Sequence, residues 1–187
     1  SIPTRRSSDL NFGLFVRGND KSFNIGIRHL IIRNGDSPAD GGGLHLRQIH
    51  GEALLDSVRI AGNASSGLGG GIFSYEVQAL KLLNSAVVRN TAESGAAISH
   101  MSGLNPSNFA VTIESTKFEE NVASDVRVLD IYAESVNISR VVFVGNSTLN
   151  SVFQCIQISA LNLLISESTF ERNSCGRGVF NLSGTES

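Results

Sequence analysis

Cleaving an acidic glycan takes two or three carboxylates on one surface, often beside Arg or Lys, to act as acid and base or to grip a metal ion. Two rows of residues in this 187-residue chain are the places where such a set could assemble. His45, Phe73, Ser99, Asp130, Gln157 and Asn181 fall at equivalent points of a repeating pattern, and Arg47, Tyr75, Met101, Tyr132, Ser159 and Ser183 fall two residues further along. Asp130 is the only acid in either row. With no carboxylate beside it, Asp130 reads as a solvated surface residue, and no catalytic residue is assigned. Phe73, Tyr75 and Tyr132 suggest different chemistry. Exposed aromatic rings stack on sugars or anchor a protein partner, so Phe73, Tyr75, Asp130 and Tyr132 form the candidate ligand-binding face. Aromatics scattered singly on a surface also occur without a function, and the residues alone leave both readings open.

Other reactive side chains form no set. His29, His45, His50 and His100 fall at unrelated points of the repeat, so no metal site is expected. His100 belongs near the interior, as a hydrogen-bonded structural histidine. Asp36 and Asp40 share a Gly-rich loop that reads as a polar turn rather than a calcium site. The runs Gly41-Gly42-Gly43 and Gly69-Gly70-Gly71 lack the Lys and the following helix of a phosphate loop, so they too are turns. No cofactor is implied. Asn63, Asn137, Asn146 and Asn181 head glycosylation sequons, but Asn/Ser-rich repeats generate these freely, and Asn63 and Asn146 have a structural part to play. Cys155 lies nine residues past Asn146 and Cys175 two past Asn173. Those are not equivalent positions, so no disulfide is expected between them.

The repeating pattern dictates the elements that carry these rows. It is apolar, one spacer, apolar, four spacers, apolar, two spacers, Asn. The copies are Ala53, Leu55, Ile60, Asn63; Leu80, Leu82, Val87, Asn90; Val111, Ile113, Phe118, Asn121; Val136, Ile138, Phe143, Asn146; and Leu163, Ile165, Phe170, Asn173. A sixth copy, Ile25, Ile27 and Ile32, brings the Asn slot to Asn34-Gly35. Repeats of 25 to 31 residues mean a stacked array. Apolar residues two apart point to one side of a strand. The four spacers carry Ser with an acid or Asn, which suits a bend, and a second short strand follows. The Asn is expected to occupy a left-handed corner and to hydrogen-bond the Asn of the next coil. After a small-residue turn a third strand begins, with Leu44/Leu46, Ile72/Ser74, Ile98/His100, Leu129/Ile131, Ile156/Ile158 and Phe180/Leu182 inward. The prediction is an all-β chain, a right-handed parallel β-helix of about six coils with three short strands each, Phe118, Phe143 and Phe170 stacked inside. Leucine-rich repeats also use an Asn ladder but need an aliphatic five residues before the Asn. Val58, Ser85, Thr116, Val141 and Ser168 stand there, mostly polar, which argues against that rival.

Composition narrows the partners. A net charge of −2 with 17% charged residues carries no nucleic-acid footprint. No apolar run approaches the ~18 residues of a membrane helix. Residues 1–10, with Pro3-Thr4-Arg5-Arg6-Ser7-Ser8-Asp9-Leu10, have no repeat pattern and resemble a translated sequencing adapter. The expectation is that the natural sequence covers 11–187 and is a fragment cut at both ends.

Phe118-Glu119-Glu120-Asn121, Phe143-Val144-Gly145-Asn146 and Phe170-Glu171-Arg172-Asn173 resemble the Phe-x-x-Asn repeats of chlamydial polymorphic outer membrane proteins. The Gly-Gly-Ala motif of that family is present only as Gly-Gly-Gly and Gly-Ala-Ala variants, and is missing around Leu129 and Ile156. The resemblance implies a parallel β-helix passenger, extracellular or at the outer-membrane surface, used in adhesion. The expected function is a non-catalytic adhesive or structural module meeting a glycan or a host or partner protein. The alternative is a fragment of a polysaccharide-active lyase or hydrolase lacking its catalytic coils.

Overall fold

The computed structural model describes residues 13–18, 22–103, 108–150 and 152–184. The adapter-like segment 1–10 lies outside them. Among the described residues there is no helix: 22 strands pair into sheets of 11, 6 and 5 strands. All the pairings run parallel, and most join a residue to its counterpart one repeat away. The protein is a parallel β-solenoid of about six coils.

The spacing two, five, three seen in the sequence is the cross-section of one coil. In the coil of Asn121, the strand Ala110–Glu114 turns Val111 and Ile113 inward, and Lys117–Glu119 turns Phe118 inward. Stacked above and below, the same positions line up as Ile27, Leu55, Leu82, Ile113, Ile138, Ile165 and as Ile32, Ile60, Val87, Phe118, Phe143, Phe170. The Phe rings stand 5.9 and 6.0 Å apart, centroid to centroid, and tilted. The third strand also has the expected inward residues, in register from Leu44 through Ile72, Ile98, Leu129 and Ile156 to Phe180. In the coils of Gly35 and Asn63 it runs on without a break into the first strand of the next coil, as Leu44–Asp56 and Ile72–Leu83.

Two expectations about the coil are corrected. Five of the coils have a fourth strand, two residues long, directly after the ladder position: Asp36–Ser37, Ala64–Ser65, Thr91–Ala92, Val122–Ala123 and Ser147–Thr148. Two residues are too few to show an alternation, so the sequence reads as a turn, yet Ser65, Ala92, Ala123 and Thr148 all face in. The ladder Asn is not the left-handed residue either. That conformation falls one position earlier, at Asn34, Gly62, Arg89, Glu120, Gly145 and Arg172, with φ between 53° and 65°. A second left-handed corner, at His29, Ser57, Asn84, Ser115, Arg140 and Glu167, ends the first strand. Most of these are ordinary L-residues, for which the conformation costs about 1 kcal/mol or more, so the stack must hold them there.

The Asn ladder does so. Each amide nitrogen donates to the next amide oxygen, Asn63 to Asn90 at 2.9 Å, Asn90 to Asn121 at 3.0 Å, Asn121 to Asn146 at 2.9 Å and Asn146 to Asn173 at 3.2 Å. Its second hydrogen goes to a backbone carbonyl one coil back: Ile32, Ile60, Val87, Phe118 and Phe143 in turn. Each amide oxygen from Asn90 to Asn173 also takes the backbone N–H of the preceding Asn, at 2.9–3.0 Å. Gly35 fills the sixth slot, and its N–H alone meets Asn63 Oδ1, at 2.9 Å. Asn63 and Asn146 are thus fully enclosed, with no room for a glycan.

A smaller ladder runs beside the first corner, at the positions that spoke against a leucine-rich repeat. Ser85 Oγ receives the N–H of Val58 at 3.1 Å, and Ser168 Oγ that of Val141 at 3.1 Å. The hydroxyls of Ser85, Thr116 and Ser168 donate to carbonyls two residues back.

Cys155 and Cys175 form a disulfide, contrary to the expectation from spacing. Cys155 directly precedes the third strand of one coil, while Cys175 stands at the inward position after the ladder Asn of the next. The reading compared like positions only. Unlike positions on consecutive coils meet across the interior, here with Cα atoms 5.5 Å apart.

Phe143→Ala is expected to cost roughly 3–5 kcal/mol, and more than Ile60→Ala, because it opens a cavity between two rings. Urea unfolding of both variants checks the order. Loss of the disulfide should lower stability by about 2–4 kcal/mol. Thiol titration of the denatured, unreduced protein should find no free thiol; two would overturn the pairing.

Candidate functional site

The outward side of the third strand is built differently from what the alternation implies. At its first outward position the preceding corner folds back over the side chain. A Cβ on Gly41 would lie 2.6 Å from His45 Cβ, one on Gly69 2.6 Å from Phe73 Cβ, and one on Gly95 2.5 Å from Ser99 Cβ. These three glycines also have φ of 62–73°, so glycine is required twice over. The result is that Phe73 is only 6% exposed, and it is not the surface aromatic expected of it. Its ring packs on His45 at 4.9 Å, and His45 packs in turn on Phe15 at 4.8 Å, both edge to face. Burial lowers the His45 pKa.

The glycine pattern stops at the coil of Asn121, where Val126 takes the equivalent corner position. Here a cleft of about 720 Å³ opens on the outer face. Its floor and one wall are the second outward row, Tyr75, Met101 and Tyr132, on three successive coils and in direct register. The opposite wall is the corner chain of the same coils: Gly67-Leu68, Glu93-Ser94 and Val126-Arg127. Ser102 and Gly103 close one side. Arg47, one coil back, lies over the Tyr75 ring at 5.5 Å and braces it.

Asp130 also lines this cleft, but it is not the solvated carboxylate that the sequence suggested. It is 4% exposed, and Arg127 Nη1 lies 3.3 Å from its Oδ2. Burial pushes its pKa above the ordinary carboxylate value, against the pull of the Arg127 guanidinium and the nearby Ser94 hydroxyl. Asp130 Oδ1, Ser94 Oγ and Arg127 Nε are all buried, with the Ser94 hydroxyl beside the carboxylate and Arg127 Nε without a hydrogen-bond partner among the described residues. Tyr132 is pushed up by burial first and by the Asp130 charge second.

Of the four residues expected on the ligand face, then, Tyr75, Tyr132 and Asp130 share one cleft and Phe73 is sealed beneath a corner. The sequence reading missed Glu93, Ser94 and Arg127, because it looked for chemistry only on the third strand. Two signals were there: Arg127 stands three residues before Asp130, and the corner glycine is lost in that coil.

The remaining candidates are structural. His100 faces inward, fully buried, with Nδ1 2.5 Å from Ser74 Oγ. Asp40 caps the next coil, accepting the Leu68 N–H at 2.8 Å. No group of three or more metal-ligating side chains exists among the described residues. No helix there is long and apolar enough to cross a membrane. Comparison with protein-family models, curated proteins and solved structures finds no match to this chain.

Desolvation lowers the His100 pKa from 6.5 to about 4. The unfolded chain therefore binds a proton below pH 6.5 that the folded chain refuses until about pH 4. Stability should fall as pH drops through that window, by roughly 3 kcal/mol, and level off below it. Urea midpoints of wild type and His100→Gln across pH 4–7 check this: their difference should shrink in acid.

Proposed function

We propose that this protein is a non-catalytic β-helix module of the extracellular space or cell surface, adhesive or structural, which meets its partner through the cleft over Tyr75, Met101 and Tyr132. The cleft carries the reading. It is the place where the repeating corner gives way, and it presents two aromatic rings and a Met on rigid strands. Surfaces of this make-up suit a glycan or a protein partner. The near-neutral charge gives no support to nucleic acid. The likeness of the Phe-x-x-Asn copies to chlamydial polymorphic outer membrane protein repeats supports an exported passenger at the outer-membrane surface. The Cys155–Cys175 bond favours the same setting, since disulfides persist in oxidising compartments.

A second reading, a fragment of a polysaccharide-active enzyme, draws on one observation: Glu93 and Asp130 line the same cleft with Arg127 between them in sequence. Against it, Asp130 is enclosed and already paired with Arg127, which leaves Glu93 as the single open carboxylate where acid–base cleavage needs two. Incubation with pectic, alginate and other uronic-acid polymers, with and without calcium, should release no product. Cleavage that disappears in both Asp130→Asn and Glu93→Gln would establish the enzyme instead.

A further inference from the structure

We propose that the cleft is a docking groove for a proline-rich segment of a partner protein, extended in the polyproline II form, packed on Tyr75 and Tyr132 and flanked by Lys or Arg. This rests on the reading of the cleft as a binding surface and adds the class of partner.

The open surface of the cleft is aromatic ring and thioether. Tyr75, Met101 and Tyr132 are half-buried, whereas Asp130 and Ser94 in its walls are enclosed. A sugar entering here would give up water from its hydroxyls with few protein groups to replace it. The backbone is already engaged as well. The third strands are hydrogen-bonded to a neighbour on each side. On the opposite wall the N–H groups of Gly67, Leu68, Glu93, Ser94 and Val126 all donate within the corner stack. A peptide cannot join this face as another strand, because the free edges of the sheets lie at the ends of the stack. An ordinary extended peptide would bury N–H groups and leave them unbonded, which is costly. Proline has no N–H to lose.

Spacing points the same way. Tyr75 and Tyr132 stand in register two coils apart, which at about 4.8 Å per strand is roughly 9.6 Å. A polyproline II helix turns once in three residues and rises about 3.1 Å per residue, so like positions recur at roughly 9.3 Å. Prolines three apart thus meet the two rings, with the chain between them passing over Met101. Aromatic-lined grooves take proline-rich peptides in this way, and the stiff polyproline II form has little freedom to lose on docking. Charge sets the flanking residues. Arg127 and Asp130 pair and cancel. Glu93 is exposed on the rim, and the Glu76 carboxylate lies against Gly103, where a Cβ would stand 3.2 Å from its Oε1. Arg47 opposes them but is engaged on the Tyr75 ring. The rim is negative on balance and suits Lys or Arg beside the prolines.

Fluorescence anisotropy on the intact chain tests this with a labelled decaproline flanked by Arg at both ends. The controls are decaproline flanked by Glu and a Gly-Ser decamer flanked by Arg. The Arg-flanked proline peptide should bind saturably, and each control at least tenfold more weakly. Tyr75→Ala and Tyr132→Ala should each weaken binding tenfold or more, and Glu93→Lys fivefold or more. Glu93→Lys separates binding from folding, since it alters an exposed side chain and should leave the melting temperature at the wild-type value. No saturable binding by folded wild type would overturn the proposal, as would equal or tighter binding of either control, or affinities untouched by the three substitutions. Titration with cellohexaose distinguishes this failure from that of the broader reading. Sugar binding that Tyr75→Ala and Tyr132→Ala abolish, with no binding of the proline peptide, would keep the cleft as the binding face and reject the proline-rich partner.

Discussion

Everything in this fold is registered by one amide per coil. An Asn side chain has two donor hydrogens and an oxygen able to accept twice. At Asn90 and its inner neighbours in the ladder all four capacities are used, all of them between coils and always with the same partners. A slip of one residue along any strand would strand a buried amide and turn the apolar rows outward. The ladder therefore sets the register for the Phe stack on one side and for the outer rows on the other. It also explains how the chain supports two left-handed corners per coil with residues such as Arg89, Glu120 and Arg140. Their side chains point to solvent, and the cost is offset by interactions made on the neighbouring positions.

The architecture was legible because its signal is periodic and long. The inward positions of the first, second and third strands could be named residue by residue from spacing alone. What escaped were features shorter than one period of alternation, such as the pair Ala64–Ser65, and features that join unlike positions, such as Cys155 with Cys175. Spacing compares each residue with its own copies. It carries no information on what faces what across a coil, and the disulfide is such a pair. The left-handed corner was assigned to Asn from its intrinsic preference, whereas the hydrogen-bonding capacity of the amide decides where Asn stands.

The outer face was less legible for a related reason. Alternation tells inward from outward, but outward is not the same as exposed. Glycine corners lie on His45, Phe73 and Ser99, so Phe73 and Ser99 are enclosed and His45 half-buried by backbone that strand periodicity does not describe. Asp130 is enclosed too, by corner residues from its own coil and the one before. Tyr75 and Tyr132 stand two residues further from the corner and remain accessible. The cleft lies at the boundary between these regimes, where Val126 replaces glycine. A break in a repeat, rather than the repeat, marks the place where the surface is free to specialise.

The ladder also has a direction. From Asn63 to Asn146 each amide hands one hydrogen forward to the amide oxygen of the C-terminal coil and one back to a backbone carbonyl, while its oxygen receives only from the N-terminal side. One end of the stack, at Asn63, offers an oxygen already met by Gly35, and the other, at Asn173, offers donors. Two copies meeting through a two-fold axis at either end would set like against like, donor facing donor or acceptor facing acceptor. Only a head-to-tail meeting continues the series, and that arrangement does not close on itself. The ladder is thus polar in the way a filament is polar: its series of amide bonds has one direction along the stack.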